Sequence, residues 1–134
     1  MYGALDISTS ALIAQRTRLD VISANIANKD TILNADGAYE PFQRRIALLA
    51  AGDPSRGSAM GVHVSEIELD AAELMMRYEP GSPFANADGY VGYPNINPVI
   101  EQMNAMEAAR AYEANIAAIE ATKSMMSVAL QMLG

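Results

Sequence analysis

Residues 97–134 read NPVIEQMNAMEAARAYEANIAAIEATKSMMSVALQMLG, and they decide the fold. Asn97 suits a helix N-cap, and Pro98 follows at the first helical position, where its missing N–H costs nothing. No further Pro or Gly occurs before Gly134, and the filling is Ala, Glu, Met, Ile and Leu, all but Ile strong helix formers. One helix is therefore predicted from Pro98 to the end of this stretch. At a rise of about 1.5 Å per residue it spans roughly 54 Å, far more than a small globular core needs. Tyr112, Ile116, Ile119, Lys123, Met126, Leu130 and Leu133 recur at alternating spacings of four and three, a coiled-coil seam whose one polar member is Lys123. Such a helix needs a partner.

The nearest partner lies at the other end of the chain. From Gly3 to about Asn28, Leu5, Leu12, Leu19 and Ile26 repeat every seven residues, with Ile22 at an intermediate position. Ser8 and Gln15 occupy the other intermediate positions, so one row is apolar and the other mixed. Asp6 is expected in the first turn, at the positive end of the helix dipole. Asn25-Ile26-Ala27-Asn28-Lys29-Asp30 then ends the helix with residues that tolerate turn or left-handed conformations. The predicted fold is mainly α with a small β-rich insert, the two end helices pairing as an antiparallel coiled coil. Residues 1–29 plus 98–134 form a discontinuous helical core, and 30–97 form the β-rich and loop-rich middle. Burying five large seam side chains on the first helix falls short of the entropy of fixing its backbone. The ends are therefore expected to order fully only against further helices.

The middle segment alternates short apolar runs with turns. Phe42 to Leu49 reads as a strand, although Ala47 to Ala51 suits a helix as well. Gly52-Asp53-Pro54-Ser55-Arg56-Gly57-Ser58 reads as a mobile loop. Val62 and Val64 alternate with polar residues, as do Ile67 and Leu69, but the phase slips between them. A bulge, or a strand ending near Glu66, accounts for the slip. Leu74, Met76 and Tyr78 suggest another strand, and Gly89 to Tyr93 a further short one. Three or four such strands make a unit too small to stand alone, so it packs on the helices or on neighbours.

The totals narrow the function. With 134 residues the chain holds one ordinary domain, or a long helical part with an insert. Half the residues are apolar, yet two Phe and no Trp leave large rigid core residues scarce, which favours helix-on-helix packing. A net charge of −7 with no basic stripe beyond Arg44-Arg45 argues against nucleic-acid binding. Ten of the sixteen acidic residues lie from Asp30 to Asp88 beside four basic ones, which reads as a solvated surface. The absence of Cys leaves the redox compartment open. No cleavable secretory signal and no membrane-spanning run are visible, so composition alone reads as a soluble cytoplasmic protein.

No constellation of catalytic or cofactor-binding residues emerges. Asn-Ala-Asp-Gly occurs at 34–37 and again at 86–89, like the middle of a calcium loop. The first ligand position would fall on Ile32 or Phe84 and the last on Gln43 or Asn95, none of them a carboxylate. Both copies read better as Asx-type turns. His63, the only histidine, has neither Cys nor a Ser nucleophile motif near it. No enzyme activity, metal, cofactor or small-molecule substrate is expected. Among the methionines, Met103, Met106, Met125, Met126 and Met132 read as core filling along a helix rather than as an adaptable binding surface. Met103 and Met106 are out of register by one residue with the Tyr112-to-Leu133 seam, so this helix shows apolar side chains to more than one neighbour.

Three stretches together resemble the rod and hook axial protein family of the bacterial flagellum, in its proximal-rod branch. The first is Val21-Ile22-Ser23-Ala24-Asn25-Ile26-Ala27-Asn28, similar to the signature that closes the family's N-terminal helix. The second is Tyr78-Glu79-Pro80-Gly81-Ser82-Pro83, continuing to Asp88-Gly89-Tyr90-Val91 and Pro94-Asn95-Ile96-Asn97. The third is Ala109-Arg110-Ala111-Tyr112-Glu113-Ala114-Asn115, followed by Ala121-Thr122-Lys123-Ser124-Met125. Departures are confined to the middle, at Asp70-Ala71-Ala72-Glu73 in place of prolines, at Phe84 and at the Gly52-to-Ser58 loop. The resemblance implies a structural subunit that passes through the flagellar type III export apparatus and assembles in the periplasm with other copies of itself and other rod proteins. It implies end helices lining the export channel and a middle segment facing outward, in a drive shaft that transmits torque. It marks Asn25, Ile26, Ala27, Asn28, Arg110, Tyr112, Glu113 and Asn115 as family positions. The competing readings are an acidic type III secretion chaperone, a class that lacks end heptads separated by a turn-rich insert, and a general helical adaptor.

Overall fold

The computed structural model describes residues 2–134. Helix α1 runs Tyr2–Ala27 and helix α2 Pro98–Leu133, with four strands between them: β1 Arg45–Asp53, β2 Ser58–Leu69, β3 Met75–Tyr78 and β4 Tyr90–Tyr93. The strands form two separate antiparallel pairs, β1 with β2 and β3 with β4. The two helices lie side by side in opposite directions. Asn25 bonds Glu101 and Arg18 faces Glu107, while Leu5 lies beside Met126 and Leu130. The architecture is two terminal helices with a small antiparallel insert. No helix among the described residues is long and apolar enough to cross a membrane.

The ends of α2 follow local chemistry. The Asn97 side chain accepts the Val99 N–H at 3.0 Å, Pro98 sits in the first turn, and Gly134 donates its N–H to the Leu130 carbonyl. These contacts satisfy backbone groups that a helix end otherwise leaves bare. At α1 the picture differs from expectation. The helix begins at Tyr2, so Asp6 lies in the second turn, and it pairs with Arg56 of the β1–β2 turn. Among the described residues no non-glycine residue has positive φ, so α1 ends through an ordinary turn over 28–30 and not a left-handed cap. There Asn28 donates its side-chain amide to the Ala24 carbonyl and accepts from the Thr31 hydroxyl.

Strand β1 starts three residues later than the Phe42 expected from composition. The Phe42 N–H is already committed to the Thr31 carbonyl, and Glu40 to Ile32, in a small loop closed by a Leu33–Tyr39 bridge. Ala47 to Ala51 are strand and not helix, because β2 supplies their backbone partners. The expected loop at 52–58 is instead the end of β1 and a single 3-10 turn, Pro54–Arg56, with Asp53 as its cap. The phase slip in β2 is a bulge: Leu48 pairs with Glu66 and Leu49 with Val64, leaving Ser65 extra.

Both Asn-Ala-Asp-Gly segments form the Asx turns their composition suggests. Asn34 accepts from the N–H groups of Asp36 and Ala38, and Asn86 does the same for Asp88 and Tyr90, each bond 3.0 Å. Gly37 and Gly89 take φ of 81° and 84°, the left-handed region open to glycine. Tyr39 and Phe84 stack with centroids 5.6 Å apart, and the Tyr39 hydroxyl donates to the Gly92 carbonyl at 2.8 Å. The two turns are thereby joined beside β4.

The β1–β2 hairpin lies against α1. Ser10 accepts the Val62 N–H at 3.1 Å and donates its hydroxyl to the Ile7 carbonyl. The backbone comes this close because Gly61, at φ 98°, has no side chain. A Cβ there would sit 2.8 Å from the Ser10 Oγ. Gly61→Ala is therefore expected to lower stability by about 1–3 kcal/mol, read as a fall in the urea midpoint.

The Asp53 carboxyl is held below its ordinary pKa of 3.8, chiefly by the Ser55 hydroxyl, with the Ser55 N–H and Arg56 adding to it. Asp30 is lowered likewise by Lys29 and then by Arg77, which it meets at 2.9 Å. A depressed carboxylate stabilises the fold above its unfolded pKa, and that contribution disappears as pH falls through the folded value. Asp53→Asn should thus lower the unfolding midpoint at about pH 7, with the difference from wild type narrowing as pH falls through the folded pKa of Asp53. Asp30 is exposed and its pairs are screened by solvent, so its contribution is small.

Candidate assembly surface

On α1 the seven-residue seam turns toward α2. Ile22 is buried, and Leu5, Leu12, Leu19 and Ile26 are half-buried. A second face, Ser10, Ala14, Val21 and Asn25, is buried beneath the β1–β2 hairpin. Helix α1 is therefore covered on two sides, and its remaining face carries Ile13, Arg16 and Asp20 into solvent.

Helix α2 packs chiefly along α1. Its inward face runs Glu101, Ala108, Tyr112, Asn115, Ile119, Thr122 and Met126, all buried or half-buried. Tyr112, Ile119 and Met126 of the expected seam lie on it. Ile116 and Lys123 are exposed on its flank, while Leu130 and Leu133 are 68% and 86% exposed. The intermediate row facing α1 is instead small or polar: Ala108, Asn115 and Thr122. Asn115 and Thr122 return their side-chain hydrogen bonds to the carbonyls of Ala111 and Ala118, so neither needs a partner across the interface.

The outward side of α2 is rich in uncovered apolar side chains. Val99, Met103, Met106, Met125, Val128 and Met132 are each more than half exposed. Reading the helical methionines as core filling holds only for Met126, which is half-buried; the other four face away from α1. They fall in two groups, 99–106 and 125–132, with the exposed Arg110, Glu113 and Glu120 between them, and exposed apolar groups of this kind mark candidate interaction surfaces.

The family positions divide by role. Asn25 is 1% exposed and binds both backbone groups of Arg45. Its amide donates to the Arg45 carbonyl at 2.8 Å, and its oxygen accepts the Arg45 N–H at 2.9 Å. It thus pairs with the start of β1 as a neighbouring strand would. The same amide reaches Glu101 at 3.3 Å. Ile26 packs in the seam, Ala27 is exposed at the last helical turn, and Asn28 closes the turn after it. Tyr112 is inward and Asn115 satisfied within its helix, whereas Arg110 and Glu113 project outward. Among the described residues, neither forms an ion pair.

One cluster has no counterpart in the sequence reading. The Glu101 carboxylate is 1% exposed and meets the Arg44 guanidinium, which also reaches Asp70 at 3.3 Å. Burial works to lower the Arg44 pKa, but the bonds to Glu101 and then Asp70 outweigh it and hold it above its usual value. The residues are 26 to 76 positions apart, so no local pattern announces them. No group of metal-ligating side chains occurs among the described residues.

Comparison with known proteins assigns the family. Residues 5–31, α1 and its closing turn, match the family described as Flagella basal body rod protein. Residues 87–132, β4 and α2, match Flagellar basal body rod FlgEFG protein C-terminal. The flagellar basal-body rod protein FlgC of Bacillus subtilis (strain 168) is 38% identical, over 97% of this chain and 96% of its own. That of Salmonella typhimurium is 40% identical over 94% of this chain and 92% of its own, and that of Borreliella burgdorferi 36% over 99% and 97%. The acidic-chaperone and adaptor alternatives find no support in these matches. The chain belongs to the FlgC family of basal-body rod proteins and is a structural subunit of the flagellar rod, in the basal body.

Proposed function

We propose that this subunit works in the proximal part of the rod as a wall element whose paired helices line the export channel. Residues 1–29 and 98–134 act as one helical core, and 30–97 as an insert turned toward neighbours outside it. The helices pair as an antiparallel coiled coil, with Leu5, Leu12, Leu19, Ile22 and Ile26 against Tyr112, Ile119 and Met126. Ile116, Leu130 and Leu133 extend the seam to the next subunit, and Arg110 and Glu113 lie at that boundary. The observation that carries this reading is the uncovered apolar side of α2. A helix apolar on both sides belongs inside a bundle larger than two.

The subunit reaches its place through the flagellar type III export apparatus and then associates with copies of itself and with other rod proteins. Covering the remaining faces completes the ordering of the two helices. A cryo-EM map of isolated basal bodies tests the placement. Density for Pro98–Leu133 along the inner wall is expected, and density placing it on the outer surface of the rod refutes it.

A further inference from the structure

Four side chains from four separated segments meet where α1 ends and α2 begins: Asn25, Arg44, Asp70 and Glu101. Arg44 and Asp70 flank the open end of the β1–β2 hairpin, where the Asp70 N–H donates to the Arg44 carbonyl at 2.8 Å. Asn25 holds both backbone groups of Arg45, the first residue of β1. Glu101, from the first turns of α2, receives Arg44 on one oxygen and Asn25 on the other.

We propose that this cluster is a latch that makes the order of the β1–β2 hairpin conditional on both helices being in place. A two-stranded pair is marginal alone in water, and this one has no third strand to support it. Its open end is tied down only through side chains of α1 and α2. The carboxylate at the centre enforces the condition. Glu101 is almost wholly buried when all three parts are docked, and each partial arrangement forfeits at least one of the bonds that compensate the Glu101 or Arg44 charge. Removing the hairpin strips Glu101 of Arg44, and removing α1 strips it of Asn25. Removing α2 leaves Arg44 with Asp70 alone and frees the Asn25 amide from one of its two acceptors. States with two of the three parts docked are therefore disfavoured, and the three order together. The latch is a property of one chain. Its use in assembly rests on the reading above, that the helices become fully ordered when neighbours cover them: the hairpin then takes its fixed position at that moment and not before.

Hydrogen exchange on the isolated full-length chain tests the latch without reference to the rod. Where the wild-type helices exchange freely, amides of 45–49 and 64–69 must do so too. A protected hairpin beside unprotected helices overturns the latch and leaves the placement in the rod untouched. Where the wild-type helices are protected, Glu101→Gln keeps the shape and removes the charge. It is expected to raise exchange at 45–49 and 64–69 by about tenfold or more, the loss of one charge-assisted bond, with 75–78 and 90–93 unchanged. An unchanged hairpin, or an equal rise in both hairpins, overturns the proposal. The double variant Arg44→Met with Glu101→Met removes both charges and keeps apolar bulk, which guards against a single variant that does not fold. Its hairpin exchange stays raised if the charged cluster is the latch. A return to the wild-type rate would show that packing alone holds the hairpin.

Discussion

Asn25→Ala should lower the unfolding free energy by about 2–4 kcal/mol, one of the two largest effects available to a single side chain here. The expectation follows from what the carboxamide touches. It satisfies the N–H and the carbonyl of Arg45 and donates to Glu101, in a position that is 1% exposed. Alanine leaves all three groups without that partner in a place where water has little access, and the cost of an unmet buried polar group exceeds the net value of an ordinary hydrogen bond. Asn25→Asp is an informative companion. It retains an acceptor for the Arg45 N–H, loses the two donated bonds, and brings a second carboxylate toward Glu101, so it should be at least as damaging. Urea unfolding followed by far-UV circular dichroism reads both. A midpoint for Asn25→Ala equal to wild type would show that the Arg45 backbone finds other partners, and that the strand-like pairing has no energetic weight.

Met125→Glu combined with Met132→Glu should abolish motility and leave the isolated subunit as stable as wild type. Both side chains are on the outward side of α2, 59% and 82% exposed. Glutamate is as good a helix former as methionine, so the free chain should change by no more than about 0.5 kcal/mol. On the proposed placement the same side chains meet neighbouring subunits in the rod. Each buried methionine then contributes on the order of 1.5–3 kcal/mol, whereas a carboxylate desolvated without a partner opposes association by several. Swimming in soft agar and electron microscopy of basal bodies provide the measurement. Wild-type spreading with intact rods would show that this side of α2 faces water in the assembly.

The legibility of the chain in its sequence varied with the range of the interactions concerned. Helix α2 was readable from end to end because its signals are local: Asn97 accepting two residues ahead, Pro98, an unbroken run of helix formers, and Gly134. The two Asx turns were readable for the same reason, and the phase slip in β2 was visible, although a bulge could not be told from a strand end near Glu66 until the pairing with β1 was seen. The expected seam meets a mixed environment. Tyr112, Ile119 and Met126 are half-buried, Ile116 is exposed on the flank, and Leu130 lies beside Leu5 yet stays 68% exposed near the end of the helix, while Ala108, Asn115 and Thr122 take covered positions that size and polarity alone do not suggest. Residues one apart differ by about 100° around a helix, so the choice between Ile116 and Asn115 needs the partner's shape. The start of β1 was misplaced because the Phe42 N–H had been claimed by Thr31. That competition is invisible without the turn that brings them together.

Taken alone, the sequence determined that two long helices close the chain at its ends, that a turn-rich insert separates them, and that the family is that of the flagellar axial proteins. The helices and the insert depend on backbone propensity, capping and turn chemistry, which act over a few residues, whereas the family was legible only as a resemblance carried by three motifs. Only the tertiary structure decided which side of each helix is used, and that Asn25, Arg44, Asp70 and Glu101 converge. A buried charge is tolerated only where its partners arrive together, and Glu101 finds its own 57 and 76 positions away. Folding makes it the point at which both helices and the hairpin are joined.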